Sequence, residues 1–174
     1  MSRINYNLKQ IKALAFDVDG VLSPSTIPMS PEGLPMRMAN LKDGYAMQLA
    51  VKAGLRLAII TGADVPSIPG RFGVIGVQDI FMGVADKLPV FEKWLADNNL
   101  KPEEVVYVGD DIPDLPILRI CGLPVAPRDA AIECKEVATF ITAANGGHGV
   151  AREILEEVMR AQGHWLSADK AYAW

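Results

Sequence analysis

Ala13-Leu14-Ala15-Phe16-Asp17-Val18-Asp19-Gly20-Val21 is the stretch whose reading decides the fold. Its opening residues are apolar without the alternation of a half-wet strand, so Ala13 to Val18 reads as a strand buried on both faces. Asp17 and Asp19 then fall at its carboxyl end, the edge where open α/β sheets hold ligands. Two ionised carboxylates this close coexist cheaply only beside a cation or a shared proton. Asp and Gly also favour plain turns, so the rest of the chain must decide between a turn and a site.

Outward from that stretch, short apolar runs alternate with helical patterns. Leu57 to Ile60, Val105 to Val108, Pro124 to Ala126 and Thr139 to Ile141 read as further buried parallel strands. Helices are expected over Gly44 to Lys52 and Leu88 to Asn98, with a last one in which Val150, Ile154 and Val158 share a face. The expected fold is α/β: a Rossmann-like parallel sheet with helices on both faces, in one domain over residues 1–174. Ser23 to Asn40 breaks the rhythm with Pro24, Pro28, Pro31, Pro35 and Gly33 around Ile27, Met29, Leu34, Met36 and Met38, and reads as a small β-hairpin flap. Trp165, Leu166, Tyr172 and Trp174, in the tail 163–174, are expected to be wet unless a second subunit covers them.

Composition narrows the function. A chain of 174 residues with 50% hydrophobic and 22% charged content is an ordinary globular domain. Its net charge of −4 and pI near 5.2 give no basic stripe for nucleic acid or an anionic membrane. Cys121 and Cys134 cannot build a disulfide framework or a zinc cluster, and no signal peptide or membrane-length apolar run is present, so the cytoplasm is the expected compartment.

A second acidic group follows the strand Val105 to Val108: Gly109, Asp110, Asp111 and then Asp114. If the two strands are neighbours, the carboxylates crowd one crevice, which a protein tolerates around a bound cation. All-oxygen ligands favour a hard ion, Mg²⁺ before others, because water and phosphate can complete its octahedron. The spacing of an EF-hand is absent. Thr61 and Gly62 end a strand and offer a hydroxyl and an open backbone N–H to an anion, while Lys87 precedes a helix whose dipole its charge opposes unless an anion binds there.

In order, this set is DxDGV, ThrGly, a lone Lys before a helix, and GDDxxD, and as a set it resembles the haloacid dehalogenase superfamily of phosphotransferases. The resemblance implies Asp17 as nucleophile, Asp19 as general acid and base, Thr61 and Lys87 as phosphate clamps, and Asp17, Asp19, Asp110 and Asp114 around Mg²⁺. A carboxylate needs no activating base at neutral pH, and charge neutralisation dominates phosphoryl transfer, so the chemistry agrees.

Only Gly20 to Ile60 separates the first two motifs, too little for a cap domain. The chain is similar to the capless, tetrameric phosphatases of 3-deoxy-D-manno-octulosonate 8-phosphate and related sugar-acid phosphates, through Asn40-Leu41-Lys42-Asp43-Gly44-Tyr45, Arg71 and Gly146-Gly147-His148-Gly149-Val150-Ala151-Arg152-Glu153. That likeness implies a homo-oligomer, with the flap of one subunit over the site of the next, and a role in making a surface-glycan precursor such as lipopolysaccharide. It also implies sugar-acid contacts from Asp19, Asn40, Leu41, Lys42, Asp43, Gly44, Gln48, Gly62, Arg71 and Lys87. Ala63 and His148 stand where relatives often carry arginine, which bears on the sugar rather than on the reaction. Nine-carbon sugar-acid phosphates are the nearest alternative substrates. A receiver or silent phosphatase-like module is the alternative of another class, against which Asp19 speaks, since an acyl phosphate meant to persist is poorly served by a neighbouring acid and base.

Overall fold

The computed structural model describes residues 3–167. Six parallel strands form one sheet in the order β3-β2-β1-β4-β5-β6. They are β1 Ala13–Phe16, β2 Arg56–Ile60, β3 Asp79–Phe81, β4 Val105–Val108, β5 Leu123–Ala126 and β6 Phe140–Ile141. The chain leaves β1 toward β2 and β3 and returns to the other side of β1 with β4, so the topological switch point lies between β1 and β4. Here Ala13 pairs with Val105 and Phe16 with Val108.

Each central strand divides its side chains between two cores, as a period of two dictates. Leu14, Phe16, Leu57, Ile59, Val106 and Val108 enter the core shared with α1 (Leu41–Lys52) and α6 (Val150–Ala161). Ala13, Ala15, Ala58, Ile60, Val105 and Tyr107 enter the other, with α3 (Lys87–Asp97), α4 (Leu115–Leu118) and α5 (Ile132–Val137). The short α2 (Ser67–Phe72) adds Ile68 and Phe72 to the first core. Small alanines on one face of β1 leave room for Phe91 and Trp94, both buried, to lie close to the sheet.

Asn40 starts α1 as its N-cap, accepting hydrogen bonds from the N–H groups of Lys42 and Asp43 at 2.9 and 3.3 Å. The α6 N-terminus has no such local cap, since Gly149 holds that position. Its cap comes from α1: Asp43 Oδ1 accepts from Arg152 N–H at 2.7 Å, which ties the two helices together. Burial raises Asp43 to about 6 against the opposing pull of Arg152. A carboxyl raised in the fold above its ordinary 3.8 contributes stability that is complete below pH 3.8 and lost as pH rises through about 6. Asp43→Asn lacks that loss, so its stability relative to wild type is expected to climb between pH 4 and pH 8, by on the order of 2 kcal/mol in urea titrations. A difference flat in pH would refute the assignment.

The Ser23 to Asn40 flap turns back on itself as a minimal hairpin, with one antiparallel bridge, Met29 to Pro35, flanked by Ser30 N–H to Leu34 O and Met36 N–H to Pro28 O, both 2.8 Å. Prolines at 24, 28, 31 and 35 remove the donors a longer ladder needs. Trp165, expected to be wet in a lone subunit, is instead 9% exposed, with the Arg152 and Arg160 guanidinium carbons 4.5 and 5.7 Å from its ring centre. Leu166 is 43% exposed, as expected, while Tyr172 and Trp174 lie outside the described residues. No helix among the described residues is long and apolar enough to cross a membrane.

Candidate active site

Asp17 follows β1 directly, with its N–H still bonded to Val108 O at 3.0 Å, so the β1–β4 ladder aims its side chain. Thr61 follows β2, fixed by N–H to Phe81 O and by Val84 N–H to its own carbonyl, both 3.0 Å. Lys87 is the first residue of α3 rather than the one before it, and its side chain is buried at 6% exposure. Its Nζ bridges Asp17 Oδ2 at 2.9 Å and Asp114 Oδ1 at 2.7 Å. A buried ammonium is tolerated because two carboxylates meet it.

Asp114 has no lone pair to spare. Oδ1 accepts from Lys87 and from the buried Tyr107 hydroxyl at 2.7 Å, and Oδ2 accepts from the N–H groups of Asp110 and Asp111 at 3.0 and 3.3 Å. Gly109 makes this possible, since a Cβ there would lie 2.4 Å from that of Asp114. Carboxylate oxygens of Asp17, Asp110 and Asp114 lie within 4.8 Å of one another. Asp110 Oδ1 is buried with no hydrogen-bond partner, and Asp17 keeps lone pairs beyond those given to Val18 N–H, at 2.7 Å, and Lys87. A hard divalent cation fits here: Asp17 and Asp110 have oxygens free that could hold it, while Asp114 holds their surroundings in place.

The charges report the same crowding. Burial pushes Asp17 up to about 6, with repulsion from Asp114 adding and Lys87 opposing. Burial pushes Asp110 up to about 8, helped by repulsion from Asp17, Asp114 and Asp111. Burial pulls Lys87 down, but Asp17 and Asp114 outweigh it and leave the ammonium above its usual range. Burial and the Asp114 charge hold the Tyr107 hydroxyl far above its ordinary value, so it donates and does not ionise.

Asp17, Lys87, Asp110, Asp111 and Asp114 line a cleft of about 550 Å³, together with Asp19, Thr61, Gly62 and Arg37. A groove of about 830 Å³ lies elsewhere, lined by Lys9, Lys12, Arg160 and His164 among others. It holds none of the clustered carboxylates, so the chemistry selects the smaller cleft.

Asp19 is not in the carboxylate group: both of its oxygens are forked by Arg37, from Nε and Nη2, at 2.7 Å each. Arg37 and Tyr107 are residues that sequence reasoning missed. Arg37 is the sole basic residue of the segment 23–40, which was the available signal. Tyr107 is an apolar-run tyrosine whose hydroxyl has a partner only in three dimensions.

The segment Asn40 to Gly44 does not line this chain's cleft. Asn40 caps α1 and also donates to Gly147 O at 3.3 Å, Asp43 caps α6, and Leu41 and Lys42 are exposed on the first turn of α1. Gly44 is needed because a Cβ would sit 2.1 Å from Arg71 Nη2. Gln48 accepts from Lys52 Nζ at 3.3 Å on the same helix. Arg71 lines a cavity of about 130 Å³ that it shares with Arg37. His148 pairs Nδ1 with Gly146 O at 2.7 Å and lines a separate cavity with Lys42 and Arg152.

Residues 75–154 match the profile of the haloacid dehalogenase-like hydrolases. The 3-deoxy-D-manno-octulosonate 8-phosphate phosphatase of Yersinia pestis is 34% identical over 152 residues, 87% of this chain and 81% of that protein. Its Escherichia coli K12 counterpart is 36% identical over 155 residues, 89% and 82% of the two chains. The Moraxella catarrhalis phosphatase of the same name, solved with magnesium, phosphate and the sugar acid, superposes with a TM-score of 0.86 at 32% identity, covering 90% of each chain. With the carboxylates, Thr61 and Lys87 gathered on these strands, the chain belongs to the haloacid dehalogenase-like hydrolases, in the family of the 3-deoxy-D-manno-octulosonate 8-phosphate phosphatases.

Proposed function

We propose that this chain is a Mg²⁺-dependent phosphatase that hydrolyses 3-deoxy-D-manno-octulosonate 8-phosphate to the free sugar acid and phosphate. The observation that carries the reading is Lys87 clamped between Asp17 and Asp114 beside the unpartnered oxygen of Asp110, in a chain more than 30% identical to phosphatases of that name. A carboxylate oxygen of Asp17 attacks phosphorus, the bond from phosphorus to the sugar oxygen breaks, and Asp19 gives the departing alkoxide a proton. Water then attacks the acyl phosphate, returning a proton to Asp19 and releasing inorganic phosphate. Lys87, the Thr61 hydroxyl and the Gly62 N–H neutralise and orient the phosphoryl oxygens. Mg²⁺, when bound, supplies the positive charge that lets Asp17, Asp110 and the phosphoryl group share one cleft.

The exposed flap, with Met29 at 56%, Leu34 at 62% and Met38 at 53% exposure, supports assembly into a homo-oligomer, a tetramer by family likeness, with the flap tip over a neighbouring site. The compartment is the cytoplasm, consistent with free Cys121 and Cys134, and the product serves surface-glycan synthesis.

The test is phosphate release from the eight-carbon ester, with a nine-carbon sugar-acid phosphate alongside, in Mg²⁺ and then EDTA. The expected result is turnover with Mg²⁺, its loss in EDTA, and a higher kcat/KM for the eight-carbon ester. Equal values for both esters, or turnover indifferent to EDTA, would contradict the proposal. Light scattering reporting a monomer would remove the assembly.

A further inference from the structure

Asp19 borders the cleft, but the Arg37 guanidinium takes one lone pair on each of its oxygens at 2.7 Å and fixes the carboxylate in the plane of that fork. An arginine fork is the strongest side-chain partner a carboxylate finds, and this one is sheltered, with the Arg37 side chain only 13% exposed. Arg37 nevertheless sits in a weakly tethered segment, whose ladder is one bridge and whose nearest anchor is Met38 N–H to Ser23 Oγ at 3.2 Å. It also has capacity left: Arg37 Nη1 is buried without a partner, and so is Arg71 Nη2. Both arginines line the cavity of about 130 Å³, and Arg37 alone belongs to that cavity and to the catalytic cleft.

We propose that Arg37 is a latch released by the substrate: a carboxylate carried by the phosphate ester takes the place of Asp19 on the guanidinium, beside Arg71, and so frees Asp19 for the reaction. Two buried guanidinium nitrogens without partners are a standing demand for an anion, and an acid group of the substrate satisfies it while the phosphate occupies the neighbouring cleft. The enzyme would then select phosphate esters that are also carboxylic acids, because only they unlock the acid and base. Arg37 thus sets specificity, and it rests on Asp19 having the role given under the proposed function.

The test uses a pair of esters that differ in the carboxylate, 6-phosphogluconate and glucose 6-phosphate, beside the eight-carbon ester, with wild type, Arg37→Ala and Arg37→Lys. Wild type is expected to prefer 6-phosphogluconate. In Arg37→Ala, kcat/KM for the acids falls about 30-fold while glucose 6-phosphate hydrolysis rises severalfold, so the preference collapses. Arg37→Lys, which keeps the charge and loses the fork, falls between the two. Parallel losses on all esters would mean that Arg37 merely positions Asp19, and the latch is then wrong. A wild type indifferent to the carboxylate, or one that hydrolyses neither acid, overturns it as well. Retained preference for 6-phosphogluconate with no action on the eight-carbon ester would instead sink the substrate assignment and leave the latch standing. Melting curves of both variants show whether each is folded.

Discussion

Asp17→Asn is expected to lower phosphate release by at least about 10⁴-fold, the scale on which removal of a covalent nucleophile acts. The amide is nearly the same shape, keeps an oxygen for the Val18 N–H and leaves the cleft in place, yet it cannot form an acyl phosphate. Stability should move the other way. In the metal-free protein the Asp17 carboxyl is raised from 3.8 to about 6 by burial and by Asp114, more than Lys87 compensates. A raised carboxyl contributes stability below pH 3.8 and forfeits it as pH rises through about 6, so at pH 8 the ionised Asp17 is a cost. In EDTA at pH 8 the variant should therefore melt no lower than wild type while being inactive. Retention of more than about a hundredth of wild-type turnover would exclude Asp17 as nucleophile, and mass spectrometry of a quenched reaction should find the phosphoryl adduct in wild type alone.

The parts of this site that were legible in the sequence are those fixed locally. β1 and β4 are fully buried apolar runs that end in acids, so a period argument finds both the strands and the carboxylates at their ends. Pairing side by side at the switch point, they bring Asp17 and Asp110 together as the spacing of motifs implied. What stayed hidden depends on distant partners. β3 is three half-buried residues, and Asp79 earns its place by holding Arg56 at 2.6 and 3.0 Å and the Trp94 indole N–H at 2.8 Å. α4 is a single turn with Pro116 near its start, too short for any periodicity.

The same division covers Asp43, Trp165 and Arg37. Asp43 has no local signal for its partner, the Arg152 N–H 109 residues away, at a helix start that a glycine leaves uncapped. Trp165 looked like interface because the tail follows the last helix, yet α6 presents Arg152 and Arg160 on the face to which the chain turns back. Arg37 belongs to a proline-rich stretch whose conformation no local rule dictates. Only its salt bridge to Asp19 reveals it, at the point where the flap meets the cleft.

Lys87→Met should show most directly that the carboxylates are held by opposite charge. Methionine fills much of the same buried space, so the loss is chiefly that of the ammonium between Asp17 and Asp114. Removing one partner of a buried ion pair costs about 3–5 kcal/mol, because the remaining charge is left uncompensated. In EDTA at pH 8 the variant should lose stability on that scale, and phosphate release with Mg²⁺ should fall by about 10³-fold as a clamp on the transferring group disappears. The penalty requires ionised carboxylates. Without Lys87 the folded value of Asp17 rises beyond the roughly 6 already reached, so near pH 4 Asp17 takes up its proton in the folded state and the gap to wild type narrows; above that range it opens fully. Added Mg²⁺ should recover part of the deficit, and should raise the melting temperature of the variant more than that of wild type, since a cation that binds the folded state stabilises most where positive charge is most lacking. A variant that melts like wild type in EDTA at pH 8 would mean that Lys87 is a spectator and that the acids are kept together by the backbone alone.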